Sequence, residues 1–290
     1  MRSAELTPED SLTDSAFRIP HSALRVVAVF SGGGVKSLAQ LGAWKALQEK
    51  GLTPTHIVGT SMGAVVGAGL AAGMSGPEFL ARMKKLTRSE VAPTDTLSFF
   101  KGIFAKSLLK PDVWADTLAK LIPVSRFSDF KIPLTVTATD MESGDLVLFG
   151  ARGRDVPVNL ALAASCALPL YYQPVEIEGR RYADGGLRAV LPVEVARGIP
   201  ADLIVAISVG PGFDEGPSKA KLPGLLKAHG DAERIMMAAQ TERDLEDWPT
   251  DAAKLIVVRA VHERDATFAM DQADRFVKQG YEETKRALRG

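Results

Sequence analysis

The chain has 290 residues, and 35 Lys and Arg balance 35 Asp and Glu, so its formal net charge is zero. Hydrophobic residues make up 46% and charged residues 24%, a globular composition that excludes a wholly disordered chain or a fibrous rod. Neutrality argues against a dedicated nucleic-acid binder, which carries a basic excess, and the lone Cys166 excludes an intrachain disulfide or a cysteine-based zinc site.

Residues 1–24 mix Glu5, Glu9, Asp10 and Asp14 with Pro8, Pro20 and hydroxyl side chains, which reads as a flexible tail. They lack the basic start and apolar run of a cleaved secretory signal. No stretch of the chain approaches the ~20 apolar residues that span a bilayer. The expectation is a cytoplasmic protein, peripheral to a membrane at most. From residue 25 to residue 290 short β-type runs alternate with helical ones. The run 25–30 predicts a strand ending at Gly32, Gly33 and Gly34, and 36–49 a helix with Gly51 at its C-cap. A second strand is predicted at 56–59 and a small-residue helix at 62–72, closed by Gly73. Helices follow at 77–87 and 113–122, the latter stopped by Pro123. Strands at 134–139 and 146–149 flank a turn at Ser143 and Gly144. The arms 171–177 and 181–183 read as a hairpin around Glu178 and Gly179. Residues 203–209 form an apolar strand, 211–224 a Gly- and Pro-rich loop and 225–248 a helix broken near Gly230. A strand at 255–258 and a helix at 270–288 complete the pattern. No repeat or domain boundary interrupts it, so it predicts one three-layer α/β/α domain with a mostly parallel central sheet.

Three groups of residues carry chemistry. Gly59-Thr60-Ser61-Met62-Gly63 is a G-x-S-x-G between a predicted strand and helix, the setting of a nucleophile elbow. Its serine occupies a strained turn, so the residues two before and two after must lack a Cβ. The helix N-terminus beneath it favours negative charge. Ser31-Gly32-Gly33-Gly34-Val35-Lys36-Ser37 also joins a strand to a helix. A P-loop would need glycine where Phe30 and Val35 stand. A dinucleotide-binding turn would need glycine at Ser37 and an acidic residue about 20 positions on. An oxyanion hole serving Ser61 remains, because adjacent parallel strands end on the same side of a sheet. Asp184-Gly185-Gly186 follows the last hairpin strand, where two glycines let another loop come close. Alone it also reads as a plain turn.

Taken together, in this order, the three groups resemble the patatin-like phospholipase family across most of the chain. The stretches at 137–149 and 163–187 are similar to the family as well. The resemblance implies a serine acyl hydrolase with no metal and no organic cofactor. It implies Ser61 as nucleophile and Asp184 as its base in a Ser–Asp dyad. Backbone N–H groups of Gly33, Gly34 and Met62 would form the oxyanion hole, supported by Gly32, Lys36, Gly59, Gly63, Gly185 and Gly186. Lys36 and Ser37 depart from the arginine and glycine that the family commonly carries there. The implied substrates are acyl esters of lipids, of phospholipase A or lysophospholipase type. A transacylase or general esterase would use the same dyad, and a non-catalytic lipid- or nucleotide-binding module would keep the loops without it.

A rival Ser–His–Asp triad would need a histidine after Asp184; His262, beyond the last strand, suits that better than His229. Cys166 reads as a small buried hydrophobe and His56 as a strand-start residue. Burial in the active cleft is expected to raise the Asp184 carboxyl above its reference pKa of about 3.9, and a direct Asp base is expected to leave the enzyme active below pH ~6, with no steep loss near the histidine reference of about 6.5. Residues 97–110, from Leu97 to Lys110, place Phe99, Phe100 and Phe104 among Lys101, Lys106 and Lys110 with no acid. This basic amphipathic stretch suits an anionic membrane surface or a cover over the site. Its phenylalanines, with Leu168, Tyr171 and Tyr172, are candidates to line an acyl channel. Partners are otherwise limited to a lipid ester substrate, with no nucleic acid.

Overall fold

A computed structural model describes residues 24–86, 111–215, 224–264 and 269–289. The predicted tail, the 97–110 segment with its three phenylalanines, and most of the 211–224 loop lie outside the described residues. The strands are β1 (Val26–Phe30), β2 (Pro54–Thr60), β3 (Leu134–Asp140), β4 (Leu146–Gly150), β5 (Val175–Ile177), β6 (Arg180–Asp184), β7 (Leu203–Ser208) and β8 (Lys254–Arg259). The helices are α1 (Ala39–Glu49), α2 (Met62–Ala71), α3 (Gly76–Lys85), α4 (Pro111–Leu121) and α5 (Val158–Ser165). They continue with α6 (Gly186–Ala189), α7 (Val193–Arg197), α8 (Gly224–Glu246) and α9 (Ala273–Ala287).

All eight strands join one sheet, ordered β5-β6-β3-β2-β1-β7-β8, with β4 on β3. The pairs β3–β2, β2–β1, β1–β7 and β7–β8 are parallel, and β3–β4, β3–β6 and β5–β6 are antiparallel. Alternation along the strands builds two cores. Val26, Ala28 and Phe30 of β1 join Val205 and Ile207 in a core shared with α1, α2, α4, α5 and α9. Val27 and Val29 join Ile204 and Ala206 in a second core with Val193 and Ala196 of α7. The sheet is therefore buried on both faces, a three-layer α/β/α domain. Each such apolar side chain contributes about 2 kcal/mol by leaving water.

One detail of register positions the site. β4 covers one edge of β3 from Thr135 to Thr139. On the other edge β2 pairs with Leu134 to Thr137, and β6 takes over from Ala138 to Asp140. The last residue of β2, Thr60, faces Thr137, and the last of β6, Asp184, faces Ala138. Two strands of opposite direction thus end beside each other on a shared neighbour.

Several expectations are corrected. Residues 171–174 are not strand: Tyr171 and Tyr172 donate back to the Leu168 carbonyl at 3.1 and 3.0 Å, and Pro174 has no N–H for a ladder. The hairpin is shorter, with Glu178 and Gly179 both at positive φ, 52° and 77°. Helix α8 runs unbroken through Gly230. Residues 36–38 belong to a 3₁₀ turn, Gly34–Leu38, and α1 starts only at Ala39. Helices α5, α6 and α7 are not foreseen in the sequence; α6 and α7 have four and five residues, too short for periodicity to reveal.

Candidate active site

Ser61 stands at the junction of β2 and α2 with φ 54° and ψ −133°, outside the regions that non-glycine residues favour. Such a backbone costs about 1–3 kcal/mol and persists only where its surroundings enforce it. The enforcement is local. A Cβ at Gly59 would stand 2.6 Å from Ala64 Cα, and one at Gly63 would stand 2.4 Å from the Ser31 carbonyl oxygen. The Ser61 N–H donates to Ser165 Oγ at 2.8 Å. Thr60 Oγ1 bonds Thr137 Oγ1 at 2.6 Å and donates to the Ala189 carbonyl at 2.8 Å. The turn is therefore pinned to β3, α5 and α6.

Asp184 lies 123 positions further along the chain, and Ser61 Oγ donates to its Oδ2 at 2.7 Å. Its other oxygen, Oδ1, accepts from Gly186 N–H at 2.7 Å. A Cβ at Gly185 would collide with Thr137 Oγ1 at 2.4 Å, so the turn after β6 needs glycine to reach β3. Asp184 is 3% exposed. Burial pushes its carboxyl up to about 7, against the pull of the two hydrogen bonds. The direction is the one expected, but a value of about 7 goes against the expectation of activity below pH ~6 with no loss in the histidine range.

The glycine-rich loop lies against this pair. A Cβ at Gly32 would stand 3.1 Å from Ser61 Cβ. Gly32 N–H donates to the Val190 carbonyl at 2.9 Å, and Ser31 Oγ accepts from Val209 N–H at 2.8 Å. Gly34 has φ 60°, the left-handed region that favours glycine. A Cβ at Gly33 would stand 2.8 Å from the Val209 carbonyl oxygen. The N–H groups of Gly33, Gly34 and Met62 have no acceptor among the described residues. Lys36, two residues on, is not at the surface: it is 3% exposed. Its Nζ donates to the Glu263 carbonyl at 2.7 Å and stands 3.6 Å from the buried Glu215 carboxylate, which Arg259 and Arg234 also approach. Burial pushes the Lys36 ammonium below the usual lysine range, with Glu215 opposing.

The histidines lie elsewhere. His262 is exposed, with Nδ1 2.5 Å from Asp214 Oδ2, and His229 is exposed on α8. His56 is buried, Nε2 2.8 Å from Thr135 Oγ1, and burial pushes it down to about 4. Cys166 is buried near Ser61; burial, then the Asp184 charge, pushes its thiol up, away from the reactive thiolate. Of the expected channel residues, Leu168, Tyr171 and Tyr172 occupy the turn before β5. Tyr172 packs on Trp114 of α4 with ring centroids 6.1 Å apart. Ser165, which anchors the Ser61 turn, escapes the sequence reading; the Ala- and Leu-rich run behind Pro157 is the one signal of its helix.

A family model described as patatin-like phospholipase matches residues 28–197, more than half of the chain. The chain belongs to the patatin-like phospholipase family. An uncharacterised NTE family protein of Mycobacterium tuberculosis is 34% identical over 70% of this chain and 54% of its own length. Protein YqhO of Bacillus subtilis, also uncharacterised, is 27% identical over 66% of this chain and 73% of its own. A lysophospholipase of Aspergillus niger, nte1, is 29% identical over 65% of this chain and 12% of its own. The chain thus spans about half of the mycobacterial relative and a small part of the fungal one. The solved structure of VipD from Legionella pneumophila shares the fold, with TM-score 0.50 and 16% identity over 92% of this chain and 67% of that one. The patatin-like phospholipase match ends at residue 197. β7, α8, β8 and α9, and with them Glu215 and the tie to Lys36, lie beyond it.

Proposed function

We propose that this chain is a serine acyl hydrolase of lipid esters working through a Ser61–Asp184 dyad. The observation that carries the reading is the 2.7 Å hydrogen bond from Ser61 Oγ to a buried carboxylate. Asp184 accepts the hydroxyl proton as Oγ attacks the ester carbonyl carbon. The carbonyl electron pair moves to oxygen, and the N–H groups of Gly33, Gly34 and Met62 hold that oxyanion. Donors of this kind contribute about 3 kcal/mol each to lowering the barrier. The oxyanion collapses, the alcohol leaves with the proton from Asp184, and acyl-Ser61 remains. Water then attacks the acyl carbon while Asp184 takes its proton, and the carboxylic acid departs as Ser61 regains it. A base pushed to about 7 is better matched to a serine hydroxyl than an ordinary aspartate. Family membership and a lysophospholipase among the relatives support a lipid ester as substrate.

The test is labelling of the whole chain with a fluorophosphonate, followed by peptide mass spectrometry, beside hydrolysis of a short ester. The expected adduct is on Ser61, and Ser61→Ala is expected to fold and to lose both labelling and turnover. An adduct on another serine, or a fully active Ser61→Ala, overturns the assignment.

A further inference from the structure

The glycine-rich loop rests on the chain that leaves β7. Val209 N–H donates to Ser31 Oγ, and the Val209 carbonyl lies against Gly33. Gly210 packs beside it: a Cβ there would stand 3.2 Å from the Gly32 carbonyl oxygen and 3.0 Å from Val190 Cγ2. The far end of the loop has a second support, the ion pair of Lys36 with buried Glu215. Arg259, the last residue of β8, touches both supports. It faces Ser208, the last residue of β7, and its half-buried side chain reaches across the turn that follows. Nη1 donates to the Gly210 carbonyl at 2.6 Å and to Ser208 Oγ at 3.2 Å. Nη2 donates to Asp214 Oδ1 and to Glu215 Oε1, both at 3.3 Å. A Cβ at Gly212 would stand 2.6 Å from Nη2, so the turn passes close to the guanidinium. A guanidinium is a rigid planar fork, and one such group fixes the separation of the two supports. Gly210, Glu215 and Arg259 all lie beyond the family match, which ends at residue 197.

We propose that Arg259 is a positioning residue for the oxyanion hole. Its fork holds Gly210 and Glu215, and through them both ends of the loop that carries the Gly33 and Gly34 N–H groups. This rests on reading Ser61 and Asp184 as the hydrolytic pair and those N–H groups as donors to the oxyanion. Arg259 acts through the backbone it binds and not on the substrate. The aim of the donors matters because a hydrogen bond weakens steeply as its angle closes. The full negative charge that they meet exists only after Ser61 has attacked. A shifted loop therefore costs more in the transition state than in the ground state, where the carbonyl oxygen carries only a partial charge.

The test compares two inhibitors of ethyl butyrate hydrolysis by the full chain, hexyl trifluoromethyl ketone and hexyl methyl ketone. Ser61 Oγ adds to the fluorinated carbonyl carbon, the hydroxyl proton passes to Asp184, and the carbonyl electron pair becomes an oxyanion in the hole. The methyl ketone is far less electrophilic and reports the same pocket without the adduct. The readout is the ratio of the two inhibition constants. Arg259→Met is expected to lower the preference for the fluorinated ketone about tenfold or more, a part of what deleting one donor outright would cost. Its kcat for ethyl butyrate is expected to fall with KM little changed. Gly210→Ala keeps every charge and presses a methyl on Gly32, and is expected to lower the preference about threefold or more. A residue that serves stability alone would lower the urea midpoint and leave the ratio, which reads folded molecules only, as in the parent. An unchanged ratio in either folded variant, or equal weakening of both ketones, overturns the proposal. If the parent takes no fluorophosphonate at Ser61 and does not prefer the fluorinated ketone, the hydrolytic reading itself falls. Labelling at Ser61 with no such preference, or with one that Arg259→Met leaves unchanged, removes the Arg259 proposal alone.

Discussion

Asp184 is buried and accepts two hydrogen bonds, and this sets both its proton affinity and its cost to the fold. Since burial holds its pKa at about 7, the base is expected to be empty of its proton only in neutral and alkaline solution. Turnover of a short ester should therefore rise from pH 5 to pH 8 with a midpoint near 7, measured as kcat/KM. Such a limb overlaps that of a histidine, so the profile does not separate dyad from triad; His262→Gln does, and is expected to stay active. The same shift acts on stability. Below the unfolded value of about 3.9 the carboxyl is protonated in both states and makes no difference. As pH rises from there to about 7 the unfolded chain ionises first, so stability is lost, on the order of 4 kcal/mol in all. Asp184→Asn is expected to be inactive yet to unfold at higher urea than the parent at pH 8, with the gap closing toward pH 4.

At the scale of elements, the Ser61 turn depends on α5. Ser165→Ala leaves the Ser61 N–H without its 2.8 Å acceptor. The expected cost is about 1 kcal/mol of stability, with kcat falling and KM little changed. The glycine-rich loop depends on the segments after β7 and β8. Lys36 joins it to Glu215 and to the Glu263 carbonyl out of water, so its charge serves the fold. Lys36→Glu sets a second carboxylate against Glu215 and is expected to destabilise by about 3–5 kcal/mol, read as a lower urea midpoint. Normal stability with lost activity would instead support a role in the electrostatics of the reaction.

Across the whole molecule, the last helix closes the domain by packing directly on the first. A Cβ at Gly42 of α1 would stand 1.9 Å from the Val277 carbonyl oxygen, and one at Gly280 of α9 would stand 1.9 Å from that of Ala39. In an exposed helix Gly→Ala gains about 1 kcal/mol. Here the sign reverses, because the added methyl meets rigid backbone and must part the helices. Gly280→Ala is expected to lower the melting temperature of the whole domain, measured by calorimetry.

The alternation of strands and helices and the two glycine-framed turns were legible because their causes are local. Valine-rich runs favour extended chain, and a Cβ at Gly59 or Gly63 is forbidden by neighbours only a few residues away or on the adjoining strand. The family likeness of the ordered motifs extended that reading to Asp184. Its meeting with Ser61 depends on β6 replacing β2 along one edge of β3, a register that no local pattern encodes. Tertiary structure alone decided that His262 turns to Asp214, that Lys36 is buried on Glu215, and that Ser165 anchors the turn. It also set the basicity of Asp184. Burial is a property of everything packed around a carboxyl, and the same Asp-Gly-Gly on an exposed turn would hold an ordinary acid.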